Sequence, residues 1–387
     1  MKRLEVTHFG PIRDADVSFD DLTVLVGKQA TGKSLFAQLV KAIADAGAIR
    51  NDLKSYGYDW LHGKDLVADY SSLYFGGGLE KLLARVSIRY NGRVVSAGSI
   101  AKPGGNSRPE ETVFLVPAQR VLVLQDGWPK PFMAYLGGDP YSMRRFSEVL
   151  RSVMDGFEPH TPVFPQSKRL MSTLRTAIDR SIYAGFELKL ELQGNRKQLV
   201  LTAPESKSGL PINAWSAGQR EFTPLLFSMY WLMPSASSAR RGDLEHVIIE
   251  EPEMGLHPMA IVGFMLVVLA LLQRGYRVTL STHSSVVLDV VWALSRLKSL
   301  RQRSAVGALR KIFEVSPGDN QINATLQAAL KKGTKVYYFE RSEQVVRVHD
   351  ISDLDPSAED EAEAGWGGLS GFSGRIAEIV GQAMAES

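Results

Sequence analysis

The chain contains no cysteine. That excludes disulfides and thiolate metal sites, and makes a reducing cytoplasm the expected home. Long apolar runs are also missing. The longest, residues 259–272, has 14 residues, short of the ~20 that a membrane helix needs, so a buried core helix is expected there. Nor does one sign of charge dominate: 45 Lys and Arg against 42 Asp and Glu leave +3. The protein as a whole is therefore not marked as a nucleic-acid binder, and only a local basic patch could serve that role. The start, Met1-Lys2-Arg3, runs straight into an alternating strand and not into an apolar signal core. A soluble, intracellular protein with no membrane contact is expected. What is present is a real core: 387 residues with 44% apolar content support two lobes or one large α/β domain with insertions.

One short stretch organises the rest. Gly27-Lys28-Gln29-Ala30-Thr31-Gly32-Lys33-Ser34 fits the G-x-x-x-x-G-K-[ST] pattern of a phosphate-binding loop. Before it, residues 22–26 form a β-branched run that reads as a buried strand. After it, Leu35, Leu39 and Ile43 recur on one helical stripe. The glycines let the backbone curl until several N–H groups face one point, and the helix start adds partial positive charge there. Lys33 is expected to reach the β- and γ-phosphates of a nucleoside triphosphate, and the Ser34 hydroxyl to bind Mg²⁺.

Along the chain, four segments are expected. Residues 1–118 form an N-terminal lobe with antiparallel strands and the phosphate loop, and residues 119–185 an inserted, Pro-broken helical subdomain. Residues 186–350 form a C-terminal lobe of strands and helices, with a strand expected at 310–315. Residues 351–387 form an acidic, Gly-rich tail. In that tail Trp366, Leu369 and Phe372 either dock a partner or pack back on the chain's own surface, and a short last helix is expected around Ile376, Ile379 and Val380.

Two further constellations carry chemistry. Val247-Ile248-Ile249-Glu250-Glu251 is an apolar strand ending in two carboxylates. Glu250 suits the Mg²⁺ shell and Glu251, on the other side of the strand end, suits polarising a water. Downstream, the strand Val278-Thr279-Leu280 ends in Ser281-Thr282-His283, where an imidazole could donate to the γ-phosphate and hold that water. Ahead of the acids, Ser216-Ala217-Gly218-Gln219 opens a helix. Ser216 is a good N-cap, and the small residues leave N–H groups open to an anion.

In this order, residues 27–34, 216–219, Glu250-Glu251-Pro252 and His283 resemble the phosphate loop, signature, Walker B acid pair and switch histidine of an ABC-type ATPase head. The opening Val6-Thr7-His8-Phe9-Gly10-Pro11-Ile12 is similar to SMC/RecF-like heads. Glu250-Glu251-Pro252-Glu253-Met254-Gly255-Leu256-His257-Pro258 and Pro117-Ala118-Gln119-Arg120 resemble the stand-alone AAA-type ATP-binding proteins related to OLD ATPases. The resemblance implies an α/β fold: a mixed sheet with an N-terminal antiparallel β subdomain and an inserted helical subdomain. It implies Glu251 and His283 as catalytic residues. ATP would be bound by residues 27–34, Gln119, Ser216, Ala217, Gly218 and Gln219, and Mg²⁺ by Ser34, Glu250 and Gln119, the last as the glutamine-loop residue.

There are departures. Glu250 stands where Asp is usual, Trp215 and Ala217 replace Leu and Gly of the commonest signature, and the role of His257 is open. Residues 119–185 are too short and Pro-rich for a coiled coil, and Asp353, Asp355, Glu359 and Asp360 lie outside any strand context, so no nuclease is expected. The implied function is Mg-dependent ATP hydrolysis by an ATP-gated homodimer or higher homo-oligomer that regulates a separate effector in bacterial anti-phage defence. The alternative is a RecF-like DNA-binding repair ATPase, served by Arg144, Arg145, Lys168, Arg169, Arg175, Arg180, Arg240 and Arg241.

Overall fold

Alternation at Leu4, Val6, Ala15 and Val17 folds the first residues into a hairpin, Arg3–Phe9 against Ile12–Ser18, with Leu4 opposite Val17 and Val6 opposite Ala15. The turn uses Gly10 at φ 55°. In this computed structural model residues 2–102, 110–167, 169–206, 208–234, 240–369 and 376 are described. The third strand, Leu22–Val26, is buried along its whole length, as expected for a strand covered on both faces. It lies inside a mixed sheet of ten strands. From one edge these are Arg93–Val95, Ser87–Tyr90, Arg3–Phe9, Ile12–Ser18, Val345–Asp350, Thr334–Ser342, Leu22–Val26, Arg277–Thr282, His246–Glu250 and Val113–Val116. The last four run parallel. The N-terminal antiparallel strands are continuous with them, because Thr334–Ser342 and Val345–Asp350 bridge the two halves.

The pleat divides the core. Leu22, Val24 and Val26 join one apolar cluster with the helices Ala217–Leu232 and Pro258–Gln273, while Leu25 joins the other with Phe36 and Leu39 of the helix Lys33–Ala44. The 14-residue apolar run lies in Pro258–Gln273 and is almost wholly buried. No helix of the described residues is long and apolar enough to cross a membrane.

Two segments differ from expectation, and in the tail one of the two open alternatives holds for Trp366. The stretch 119–185 holds the helices Tyr141–Asp155 and Ser172–Ile178, but also the strand Pro162–Phe164, which pairs with Glu187–Gln193 in a separate four-stranded antiparallel sheet. The strand expected at 310–315 is instead the end of the helix Gln302–Ile312. The buried set Ala305, Val306 and Leu309 has helical spacing, which outweighs the short alternation that follows. In the tail, Trp366 is buried on the chain's own surface, with its ring 6.3 Å from that of Trp292 and its indole N–H donating to the Leu354 carbonyl at 3.2 Å. Phe372, Ile379 and Val380 lie outside the described residues, as do 103–109 and 235–239.

A buried ionic cluster fixes the helix that follows the phosphate loop. Lys41 is 2% exposed and donates to Asp45 at 3.0 Å, Glu111 at 2.5 Å and the Val113 carbonyl at 2.6 Å. Asp45 in turn accepts from the Thr112 N–H and hydroxyl and from the Val113 N–H. The helix Lys33–Ala44 is thereby tied to the edge strand Val113–Val116. Because removing one partner strands the other buried charge, Asp45→Ala is expected to destabilise the protein by about 3 kcal/mol, read as a lower urea midpoint.

Candidate nucleotide site

The phosphate loop crosses from Leu22–Val26 into Lys33–Ala44 through three residues with positive φ: Gly27 at 144°, Ala30 at 58° and Gly32 at 86°. A Cβ on Gly27 would sit 2.6 Å from the Phe339 carbonyl oxygen, so no side chain fits there. Ala30 holds a left-handed conformation that costs an L-residue about 1 kcal/mol. The helix has Gly32 as its N-cap and no side-chain cap, which leaves first-turn N–H groups for an anion. Lys33 folds back over the loop and donates to the carbonyls of Gly27 at 2.8 Å and Lys28 at 3.0 Å. Burial lowers its pKa to about 8, opposed by Glu251, Glu253 and Glu250. The ammonium is thus held among acidic groups at the centre of the loop.

Two strands away, Glu250 closes His246–Glu250 and is 1% exposed. One carboxylate oxygen accepts from the Ala118 N–H at 3.0 Å; the other, Oε1, has no partner. Burial raises the pKa of Glu250 to about 7, while the Ala118 N–H and the Ser34 hydroxyl pull it down. An unpartnered buried carboxylate oxygen near a hydroxyl is a fitting donor pair for Mg²⁺, which binds through one or two carboxylates with substrate phosphates completing the shell. No cluster of three or more His, Cys, Asp or Glu that could hold a metal ion exists among the described residues. Gln119 follows Ala118 directly and is exposed.

Glu251 leaves the strand at φ 41° with its N–H on the Ser281 carbonyl at 2.9 Å. Its carboxylate lies 3.4 Å from His283 Nε2, and both side chains are partly exposed. The His283 contact lowers the pKa of Glu251 against the effect of burial, with Lys33 and Arg120 adding to it. The group is therefore ionised and able to accept a proton or orient a water.

Two residues without a sequence-assigned role organise this corner. Glu253 accepts from the Thr282 hydroxyl at 2.8 Å and from the His283 N–H, fixing the switch loop. Arg120 is fully buried and donates to the carbonyls of Glu221 at 3.0 Å, Glu250 at 3.0 Å and Glu251 at 3.1 Å. The Glu221 carboxylate lies 3.6 Å away. One guanidinium thus joins the signature helix Ala217–Leu232 to the backbone of both acids. The only sequence signal was its place next to Gln119.

The signature itself stands apart. Ser216 and Gln219 form a reciprocal capping box, with Gln219 N–H donating to Ser216 Oγ at 3.3 Å and Ser216 N–H to Gln219 Oε1 at 3.1 Å. A Cβ on Gly218 would come within 3.0 Å of the Gly255 carbonyl, so the loop after the acid pair packs on the start of this helix. Ser216 and Ala217 are exposed, and no hydrogen bond or ion pair among the described residues links 216–219 to 27–34. His257 caps Pro258–Gln273 by accepting the Met259 N–H at 3.2 Å. Of the basic residues offered for DNA, Arg144 is buried with its donors on Tyr58, Leu136 and Asp139, and Arg145 is paired with Glu111. Arg241 covers the Trp231 ring at 3.4 Å, and Lys168 lies outside the described residues.

Residues 139–289, which include the signature, the acid pair and His283, match a family described as "AAA domain, putative AbiEii toxin, Type IV TA system". Over this stretch, less than half of its length, the chain is similar to an AAA-type ATPase domain. Among solved structures it is similar to an SMC head bound to the C-terminal winged-helix domain of ScpA, with 12% identity, 90% of this chain and 96% of that one covered, and a TM-score of 0.41. The SMC head domain from Thermotoga maritima matches with 13% identity, coverage of 90% and 98%, and a TM-score of 0.33. An Smc head with an extended coiled coil from Pyrococcus furiosus, bound to the C-terminal domain of ScpA, matches with 12% identity, coverage of 90% and 95%, and a TM-score of 0.36. No curated protein sequence matches significantly.

A lysine at position 120 keeps the charge but cannot span three carbonyls with one compact ammonium. Arg120→Lys is expected to leave nucleotide affinity within about threefold and to lower turnover by at least about tenfold, roughly 1.4 kcal/mol in the barrier. Equal losses in affinity and turnover would show that Arg120 only supports the fold.

Proposed function

We propose that the chain hydrolyses ATP with Mg²⁺ in a head-to-tail homodimer and that this cycle regulates a separate effector protein in the bacterial cytoplasm. The observation that carries the reading is the convergence of Lys33, Ser34, Glu250, Glu251 and His283 around the ends of three adjacent parallel strands. Lys33, already poised on loop carbonyls, exchanges them for β- and γ-phosphate oxygens, aided by the open N–H groups of the helix start. Ser34 and Glu250, with Gln119 as the third candidate, would hold Mg²⁺, which would supply charge neutralisation on those phosphates. The ionised Glu251 orients and deprotonates the attacking water, and His283 holds that water against the γ-phosphate. The family description names a toxin–antitoxin system. That supports a role in anti-phage defence, in the manner of stand-alone AAA-type relatives of OLD ATPases.

The exposed signature supports the dimer. Ser216 and the N–H groups after it have no part in their own chain's phosphate loop, so they are free to meet the γ-phosphate held by Lys33 of a second copy. ATP then joins two subunits and hydrolysis releases them, a switch driven by contacts made in only one state.

Lys33→Ala should lower ATP turnover about 100-fold or more, the usual effect of removing one preorganised donor from a developing charge, while the melting temperature is retained. Unchanged ATPase activity would remove the assignment.

Glu251→Gln should bind ATP but turn it over slowly, and accumulate as an ATP-bound dimer in size-exclusion chromatography with light scattering. Ser216→Arg should abolish turnover in a folded protein. Mixing Lys33→Ala with Ser216→Arg chains restores one composite site and should recover activity. Full activity of Ser216→Arg as a strict monomer would refute the shared site.

A further inference from the structure

The near-neutral total charge conceals one strongly biased segment. Between residues 290 and 313 the chain carries six basic residues and no acidic one. The centre of this segment is the helix Gln302–Ile312, which buries Ala305, Val306 and Leu309 and turns Arg303 and Lys311 to solvent. Arg301, Arg303, Arg310 and Lys311 form no ion pair among the described residues. The next acid in sequence, Glu314, is already held by Arg180 at 2.8 Å. Unpaired cations at this density cost self-repulsion that an anionic partner would relieve.

The ground around these cations is shaped. On one side of the helix a cleft of about 570 Å³ separates it from Asn320–Ala329. Its polar lining consists of Arg303 and Arg310 with the amides Gln302, Asn320, Asn323 and Gln327, and contains no carboxylate. On the other side, Ser304, Gly307 and Ala308 leave a low surface beside Arg310 and Lys311, bounded by Glu314 with its carboxylate on Arg180, where an extended chain can lie close to the helix. Arg303 and Arg310 are two turns apart, about 10 Å along the axis, so Arg310 serves both sides. Inside the cleft, Asn323 donates to the Pro317 carbonyl at 2.9 Å, while its Oδ1 is buried and unpartnered.

We propose that this surface binds a nucleic-acid strand through its phosphodiester backbone. The cations answer the phosphates. The amides favour a nucleic acid: carboxamides match the donor and acceptor edges of bases, and a base amino group can satisfy the orphan acceptor on Asn323, whereas an acidic peptide offers only its backbone N–H groups as donors. A single strand exposes those groups. The site is distinct from the phosphate loop and does not rest on the ATPase reading. It also differs from the basic residues singled out in the sequence, of which Arg144 is buried and Arg145 is paired with Glu111.

The test is fluorescence anisotropy of the full-length protein with a labelled 20-nucleotide single-stranded DNA across a salt series. Four phosphate contacts predict a slope of log affinity against log salt of about −3, hence a loss of about 60-fold between 50 and 200 mM salt. The double variant Arg303→Glu with Arg310→Glu should weaken binding at least about tenfold and roughly halve the slope, with an unchanged melting temperature. If it fails to fold, the pair Arg303→Gln and Arg310→Gln carries the same test. Lys33→Ala should bind the strand like wild type, which separates this surface from the nucleotide site. Absence of binding at 50 mM salt, or a slope unaffected by the double change, would overturn the proposal. So would capture of a labelled polyglutamate peptide in place of the strand, which would assign the surface to an acidic protein segment.

Discussion

A carboxylate buried at the end of a central strand, with one oxygen left unpaired, is the constraint on which the site depends. Burial alone would keep Glu250 protonated near neutrality, and an uncompensated charge in that position would cost several kcal/mol. Local stability is therefore given up for an open acceptor at the C-terminal edge of the parallel strands, which suits the proposed nucleotide site. The parallel strands make this feasible, since they are buried on both faces and place their C-terminal ends at one edge of the core. Loop, acid pair and switch histidine all leave neighbouring strands at that edge.

Around the carboxylate, backbone carbonyls and N–H groups do most of the positioning. Arg120 grips three carbonyls, Ala118 offers its N–H to Glu250, and Glu253 takes the N–H of His283. Such contacts tolerate little displacement, because the partners are fixed in sheet and helix ladders and cannot follow a moving side chain. The positive φ of Glu251 belongs to the same arrangement: the chain turns sharply so that successive carboxylates face different parts of the site.

Sequence reading reached the parts that are contiguous. The strand, loop and helix at 22–44, the acid pair and the histidine announce themselves through local spacing, and the structure places them side by side. Arg120 could not be found this way, since its main partner lies 130 residues away and is a backbone oxygen, which carries no residue identity. The Lys41, Asp45 and Glu111 cluster was hidden for the same reason: a helix, a loop and a strand edge must meet before the charges find each other. Helix and strand were confused at 310–315 because a short apolar alternation satisfies both periods, and only burial of the preceding turn decides. Trp366 illustrates the converse. A glycine-rich stretch reads as loose, yet one indole with a carbonyl partner and a neighbouring ring anchors it.

The ionic tie between Lys33–Ala44 and Val113–Val116 has a mechanical meaning. That strand leads directly into Ala118 and Arg120, so the phosphate-loop helix, the acid pair and the signature helix are braced through one segment of chain. Each chain would, under the shared-site proposal, act as a braced half-mould with little freedom to close on its own nucleotide. Under the shared-site proposal the slow coordinate is the encounter of two such bodies, and the rate law becomes second order in protein. Output per molecule would rise with copy number in the cell, making the level of expression itself the threshold for response.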